Sequence, residues 1–309
     1  MLSEGGRTLV TGWFSLLDGE ATAGDVLAQR RVCDVLQARG IPHDVAWSPR
    51  FRPDGLALDA ARPGDYERLI FVCGPLHGPQ VAGLHERFAH CHRVAVGVSV
   101  IDPDDPAVTG FHGVLARDVA DRAPTQDLSL RAPREPEVPV VGVVLTHGQQ
   151  EYGGRRAHDE VAERITGWLA GTRCAPVMVE TRLDSRDGRL CGTPAELLSV
   201  LGRLDAVVTD RLHGLVLALR VGVPPVAVDP VRGGAKVTAQ ARACGWPALV
   251  AADQVDERRL DAWLRWCLGR GREVAGMRRQ WLGAASDAAD ELSWALGDAA
   301  REGRRAAGA

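Results

Sequence analysis

The chain has 309 residues, 37 basic and 40 acidic side chains and a formal net charge of -3; at roughly 100–200 residues per domain, this length predicts two domains or one large one. Hydrophobic residues make up 45 % of it, which excludes a wholly disordered chain. No basic field draws it to nucleic acid or to an anionic membrane, and no apolar run approaches the ~20 residues of a membrane span.

In chain order, Arg7–Phe14 reads as a strand. A glycine turn follows, then a helix from about Asp25 to Arg39 with Val26, Leu27, Val32, Cys33, Val35 and Leu36 as its apolar stripe, stopped by Gly40. His43–Trp47, Leu69–Cys73 and Val94–Val100 read as further strands, with a helix over Val81–His90 before the last. Apolar runs such as Leu69–Val72 suit strands buried on both faces of a parallel sheet, which needs right-handed crossovers.

Between Asp118 and Pro139, four prolines and clustered charges predict a domain linker. The expected division is a first domain over 1–120, a linker over 121–137 and a second domain over 138–309. The alternation restarts with strand Val138–Leu145, helix Ala157–Ala170 and strand Val177–Glu180. Thr193, Pro194 and Glu196 open the next helix. Strand Asp205–Thr209, helix Leu212–Val221 closed by Gly222, and strand Val226–Val228 follow. From Asp256 to about Arg305 the chain reads as mostly helical, broken near Gly269–Gly271. Its amphipathic tail, with Trp281, Leu282, Leu292, Trp294 and Leu296, would dock on the first domain or build a homodimer. The expected fold class is α/β: two Rossmann-like doubly wound domains facing a cleft, with ligands beyond the carboxyl ends of the strands.

Seven scattered cysteines without a C-x-x-C predict free thiols in a reducing cytoplasm. The opening MLSEGGRTLV lacks the basic start and apolar core of a secretory leader. No metal site is expected, because His90, Cys91 and His92 are adjacent on a helix end and face different ways. The basic residues are very unequal: 36 are arginine and one, Lys236, is lysine, a bias that scarce A-rich codons would explain.

Two strand ends carry candidate chemistry. Strand Asp205–Thr209 is followed by Asp210-Arg211-Leu212-His213-Gly214, which runs straight into a helix. A helix N-terminus offers unpaired N–H groups and the positive end of a dipole. Arg211 adds a planar fork suited to phosphate or carboxylate, and His213 can move a proton near neutral pH. Gly214 would admit a ligand or a neighbouring strand. The same residues fit an ordinary helix start, with Asp210 as cap, Arg211 in solvent and His213 packed. After Val226–Val228 come Asp229, Pro230 and the loop Val231-Arg232-Gly233-Gly234-Ala235-Lys236. A lysine at a helix start opposes the dipole by up to ~1 kcal/mol, which a bound anion would reverse. An exposed surface lysine is the other reading.

The stretch Leu204–Lys236 resembles the signature of the polysaccharide pyruvyl transferase family. There R-L-H-G or R-L-H-A opens a helix, G-x-P leads the next strand and a lysine follows; Arg211–Gly214, Gly222-Val223-Pro224 and Lys236 fit that order. Fainter likenesses are Gly24-Asp25 at the first helix, the loop Gly74–Gly78, and Arg117-Asp118. Three places depart: Val26 replaces an acid, Thr146-His147 replaces an arginine at a strand end, and Pro75 and Leu76 replace glycines.

The resemblance implies a GT-B-like two-domain architecture. It implies transfer of the pyruvyl group of phosphoenolpyruvate, as donor substrate and without a cofactor, to hydroxyls of a saccharide or glycosylated metabolite. On this reading Arg211, Lys236 and the helix start at Leu212–Gly214 hold the anionic donor and His213 transfers a proton. Asp25 serves as base or acceptor-hydroxyl binder, or else caps its helix. Gly24, Gly74, Gly78, Thr146, His147, Asp210, Leu212, Gly214 and Gly234 are the expected substrate-binding positions. The alternatives are a GT-B glycosyltransferase using a nucleotide-sugar donor, with Glu180 or Asp184 on the ribose, and a non-catalytic family member.

Overall fold

The computed structural model describes residues 6–283 except Asp18, Asp121 and His147, together with residues 288, 289 and 292. The site candidate His147 and the tail residues Trp294 and Leu296 therefore lie outside the described residues. Contacts divide the chain into two compact units, Met1–Pro136 and Glu137–Ala309.

The first unit is a parallel sheet of β1 (Thr8–Gly12), β2 (His43–Val45), β3 (Arg68–Val72), β4 (His92–Val100) and β5 (Gly113–Val119), in the order β2-β1-β3-β4-β5. Its helices are α1 (Ala23–Ala38), α2 (Gly78–Arg87) and the single turn α3 (Pro106–Thr109). Alternate residues of the central strands enter two different cores. Leu9, Leu69 and Phe71 pack with Val81 and Leu84 of α2, while Val10 and Val72 pack with Ala28, Val32 and Leu36 of α1. Each fully buried aliphatic or aromatic side chain of this kind contributes roughly 1.5–3 kcal/mol. This two-sided burial is why the strands read as continuous apolar runs.

Helix α1 begins earlier than its apolar stripe suggests. Thr22 is the cap, its hydroxyl accepting from the Asp25 amide while the Asp25 carboxylate accepts from the Thr22 amide. Strand β5 was not anticipated, because it lies at the sheet edge and carries Arg117 and Asp118 within it. The proline-rich stretch read as a linker is in part fastened to this unit. Leu128 packs beside α1, and the Arg117 guanidinium donates to Asp127 at 2.7 Å and to Asp118 and the Ser99 hydroxyl at 2.8 Å.

The second unit is a parallel sheet of β6 (Val140–Val144), β7 (Ala175–Met178), β8 (Ala206–Thr209), β9 (Pro225–Asp229) and β10 (Leu249–Ala251), in the order β10-β9-β8-β6-β7. Its helices are α4 (His158–Gly171), α5 (Pro194–Leu201), α6 (Leu212–Val221), α7 (Lys236–Ala243), α8 (Glu257–Trp266) and α9 (Arg272–Leu282). The Thr193–Glu196 start signal of α5 is a complete capping box. Helices α8 and α9 meet at Cys267–Gly271, where Gly269 leaves the helical conformation. The three-residue edge strand β10 also escaped the sequence reading.

Counted from its own first strand, the second sheet repeats the order 2-1-3-4-5 of the first. This is a doubly wound arrangement in which the winding direction reverses beside the first strand. The reversal falls between β1 and β3 in the first unit and between β6 and β8 in the second. All seven cysteines are free thiols. Among the described residues, no helix is long and apolar enough to cross a membrane.

Candidate functional site

In the second unit, Thr146 follows β6 and Asp210 follows β8, so the two residues flank the reversal point. Asp210 is 2 % exposed and one of its carboxylate oxygens accepts from the Thr146 amide at 2.7 Å. Its other oxygen and the Thr146 hydroxyl are buried without a hydrogen-bond partner among the described residues. Burial pushes the Asp210 carboxyl up to about 7, against the hydrogen bond from the Thr146 amide and the charge of Arg211. Asp210 is therefore neither the cap of α6 nor the partner of His213. It ties together two strand ends 64 residues apart.

No side chain caps α6, so its first-turn amides stay available. Thr209 braces the turn, its hydroxyl donating to the Val144 carbonyl at 2.9 Å and accepting from the Arg211 amide at 3.0 Å. Gly214 exists for this packing: a Cβ there would lie 2.1 Å from the Thr209 hydroxyl. The close approach at Gly214 is thus to the neighbouring strand. His213 is exposed and Leu212 half-buried on the first turn. Arg211 is not loose in solvent, because its guanidinium donates to Glu180 at 2.5 Å. Glu180 also accepts from the Arg182 amide at 2.7 Å. Burial opposes ionisation of Glu180, but that amide and the Arg211 charge hold its carboxyl below the usual range.

The loop after β9 is organised by Asp229, which is 1 % exposed. One oxygen accepts from the Val231 amide at 3.1 Å, the other from the Ala235 and Thr238 amides at 2.7 and 2.8 Å. A carboxylate of the chain itself thus lies at the start of α7, where the sequence suggested a bound anion. Asp229 offsets the unfavourable placement of Lys236 at the first helical position. Gly234 lies half-buried inside this loop. The Lys236 ammonium sits 5.8 Å from the centroid of the Tyr152 ring and makes no carboxylate ion pair among the described residues. Tyr152 stacks in turn on His158, with ring centroids 6.2 Å apart. His158 is 1 % exposed, and burial, reinforced by Arg156 and Lys236, pushes its imidazole below its ordinary value.

In the first unit, Trp13 follows β1, and Gly74 follows Cys73 at the end of β3. A cavity of about 480 Å³ opens there, lined by Trp13, Glu20, Thr22, Asp25, Gly74, Pro75, His77 and Arg117. The Trp13 indole N–H donates to the Pro75 carbonyl at 2.9 Å, and its ring lies 5.4 Å from that of His77. Gly74 has φ +72°, and a Cβ on it would come within 2.3 Å of the indole. Asp25 faces this cavity but also accepts from the Thr22 hydroxyl at 2.7 Å, within the capping box. Gly24 and Gly78 lie near by in the chain but do not line it.

The structure thus groups Thr146 with Asp210, Arg211 with Glu180, Lys236 with Tyr152 and His158, and Asp25 with Gly74. Trp13, Glu20, His77, Tyr152 and His158 were missed from sequence. The signal that marks them is position in the segments that follow strands β1, β3 and β6, up to the first residue of α4 in the case of His158.

Two parallel five-stranded sheets, each with the same doubly wound strand order and its own helices, define an α/β protein. Residues 174–230 match the sequence model of the family described as polysaccharide pyruvyl transferase. That segment runs from β7 to the end of β9 and holds Glu180, Arg211 and His213, stopping before Lys236. No curated protein sequence matches the chain. Similar solved structures include the spinosyn rhamnosyltransferase SpnG complexed with thymidine diphosphate, at 13 % identity over 94 % of this chain and 100 % of that one, with a TM-score of 0.35. The spinosyn forosaminyltransferase SpnP is 13 % identical over 96 % and 100 %, with a TM-score of 0.35. The E. coli heptosyltransferase WaaC with ADP-2-deoxy-2-fluoro heptose is 15 % identical over 84 % and 99 %, with a TM-score of 0.26.

Proposed function

We propose that the chain is a cytoplasmic pyruvyl transferase that moves the pyruvyl group of phosphoenolpyruvate onto two hydroxyls of a saccharide or glycosylated metabolite. The observation that carries this reading is the family match over residues 174–230, which falls on the strand end presenting Arg211 and His213. The reaction requires that phosphate and carboxylate be held, the enol carbon protonated and the acceptor hydroxyls deprotonated. Arg211, steadied by Glu180, and the uncapped start of α6 suit the first task by fixed electrostatics. Lys236 adds a compact cation with no internal carboxylate partner among the described residues. His213, exposed on the first turn of α6, delivers the proton to the enol carbon. One hydroxyl adds to the resulting cation-like C2. The second displaces phosphate, and of the two hydroxyl protons lost, one restores His213 and one leaves with phosphate.

Lys236→Met and His213→Ala should each retain the far-UV circular dichroism of the wild type. Each should lower acceptor-dependent phosphate release by roughly 10²–10³-fold. Unchanged turnover in both variants overturns the assignment. A thermal-shift series separates the readings by donor: stabilisation by nucleotide sugars but not by phosphoenolpyruvate would replace pyruvyl transfer with glycosyl transfer.

A further inference from the structure

We propose that the cavity at the reversal point of the first sheet binds an uncharged, hydroxyl-bearing ring against the Trp13 indole, and that its lining turns anionic rings away. The first support is that the aromatic wall is built in. The indole is fixed by its N–H bond to the Pro75 carbonyl, backed by His77, and seated in space that only a glycine at position 74 leaves open. An aromatic face beside polar groups suits a ring with an apolar C–H face and a rim of hydroxyls.

The second support is charge. Glu20 and Asp25 bring two carboxylates to the lining. Among the described residues that line the cavity, the one guanidinium, Arg117, is already engaged by Asp118, Asp127 and the Ser99 hydroxyl. The start of α1, which would otherwise attract an anion, is closed by the Thr22–Asp25 capping box. An incoming carboxylate or phosphate would therefore meet like charge with no cation to receive it, whereas sugar hydroxyls can donate to both carboxylates. The third support is size: about 480 Å³ falls within the ~300–1,000 Å³ of small-molecule sites. The inference rests on the proposed function only in calling the bound ring the acceptor.

Saturation-transfer NMR on the full chain at neutral pH tests it. The probes are methyl glycosides of glucose, galactose, mannose and rhamnose, set against methyl glucuronide. At least one neutral glycoside should receive saturation and the glucuronide should not. Trp13→Leu, with unchanged circular dichroism, should lose the neutral signal at least tenfold. Glu20→Lys, at an exposed position, should gain a glucuronide signal. Silence from every neutral glycoside, equal signals from glucuronide and neutral rings, or a Glu20→Lys variant still blind to glucuronide overturns the inference; the last needs no change at Trp13. If phosphate release from phosphoenolpyruvate proceeds while all neutral glycosides fail, this inference alone falls. If a neutral glycoside binds but phosphate is never released, the pyruvyl reading alone falls.

Discussion

The two units place their reversal points at the same topological position and furnish them in opposite ways. Between β1 and β3, the first unit has an open cavity walled by an indole and an imidazole, with a glycine in the left-handed region beneath. Between β6 and β8, the second has Asp210 buried against Thr146, and one strand further on Asp229 holds three backbone amides. Strand order therefore sets where a site lies, while the few residues after each strand set its chemistry. The first unit offers a surface for packing against a ring. The second uses buried carboxylates as internal braces, pairs Arg211 with Glu180 and sets Lys236 beside Tyr152.

If buried carboxylates brace the second unit, Asp229→Ala is the most damaging single change. It strands the Val231, Ala235 and Thr238 amides, each at about 1–3 kcal/mol, so a loss of roughly 4–6 kcal/mol is expected in urea unfolding. A loss below about 1 kcal/mol would break the contrast between the two units. Next in size is Asp210→Asn, which should stabilise. In the folded chain Asp210 holds its proton up to about pH 7, whereas unfolded it ionises near 3.9. Between these values the unfolded state binds fewer protons, so stability falls as pH rises from about 4 to 7 and is level above. Asp210→Asn should remove that slope and gain roughly 3–4 kcal/mol at pH 8 but little at pH 4, read by denaturant titration at both. The smallest effect is a matched pair of glycines. Gly214→Ala meets the Thr209 hydroxyl and should cost about 1–3 kcal/mol. Gly74→Ala meets a displaceable indole and a strained φ, and should cost about 1–2 kcal/mol while weakening glycoside binding. Equal stability with intact binding for Gly74→Ala would mean that the indole is not seated as described.

Much of the fold could be read from residue pattern alone, because the central strands β1, β3, β8 and β9 are largely buried on both faces and each carries adjacent apolar residues, such as Leu9-Val10 and Leu69–Val72. The edge strands obey a weaker rule. Leu115 on β5 is 62 % exposed, and Arg117 and Asp118 are tolerated beside it, so the run carried no strand signal. Helix α6 and its closing glycine were legible from the R-L-H-G start and the Gly-x-Pro that follows. The partners of those residues were not. Arg211 meets Glu180 from 31 positions away and Asp210 meets Thr146 from 64, and no local spacing encodes such pairings. Lys236 illustrates the same limit at short range. Its place at a helix start was visible, but three amides converging on Asp229 is a property of the folded loop.

That convergence has an energetic consequence for any ligand the loop would meet. A loop that must be frozen on arrival of a ligand charges roughly 1–2 kcal/mol of backbone entropy per residue against affinity. Here the segment from Val231 to Thr238 is held by a carboxylate of the chain itself, so its order is set by folding. The Lys236 ammonium is positioned beside Tyr152 as part of folding, and on the pyruvyl-transfer reading proposed above the donor's binding energy would not be spent on arranging this loop.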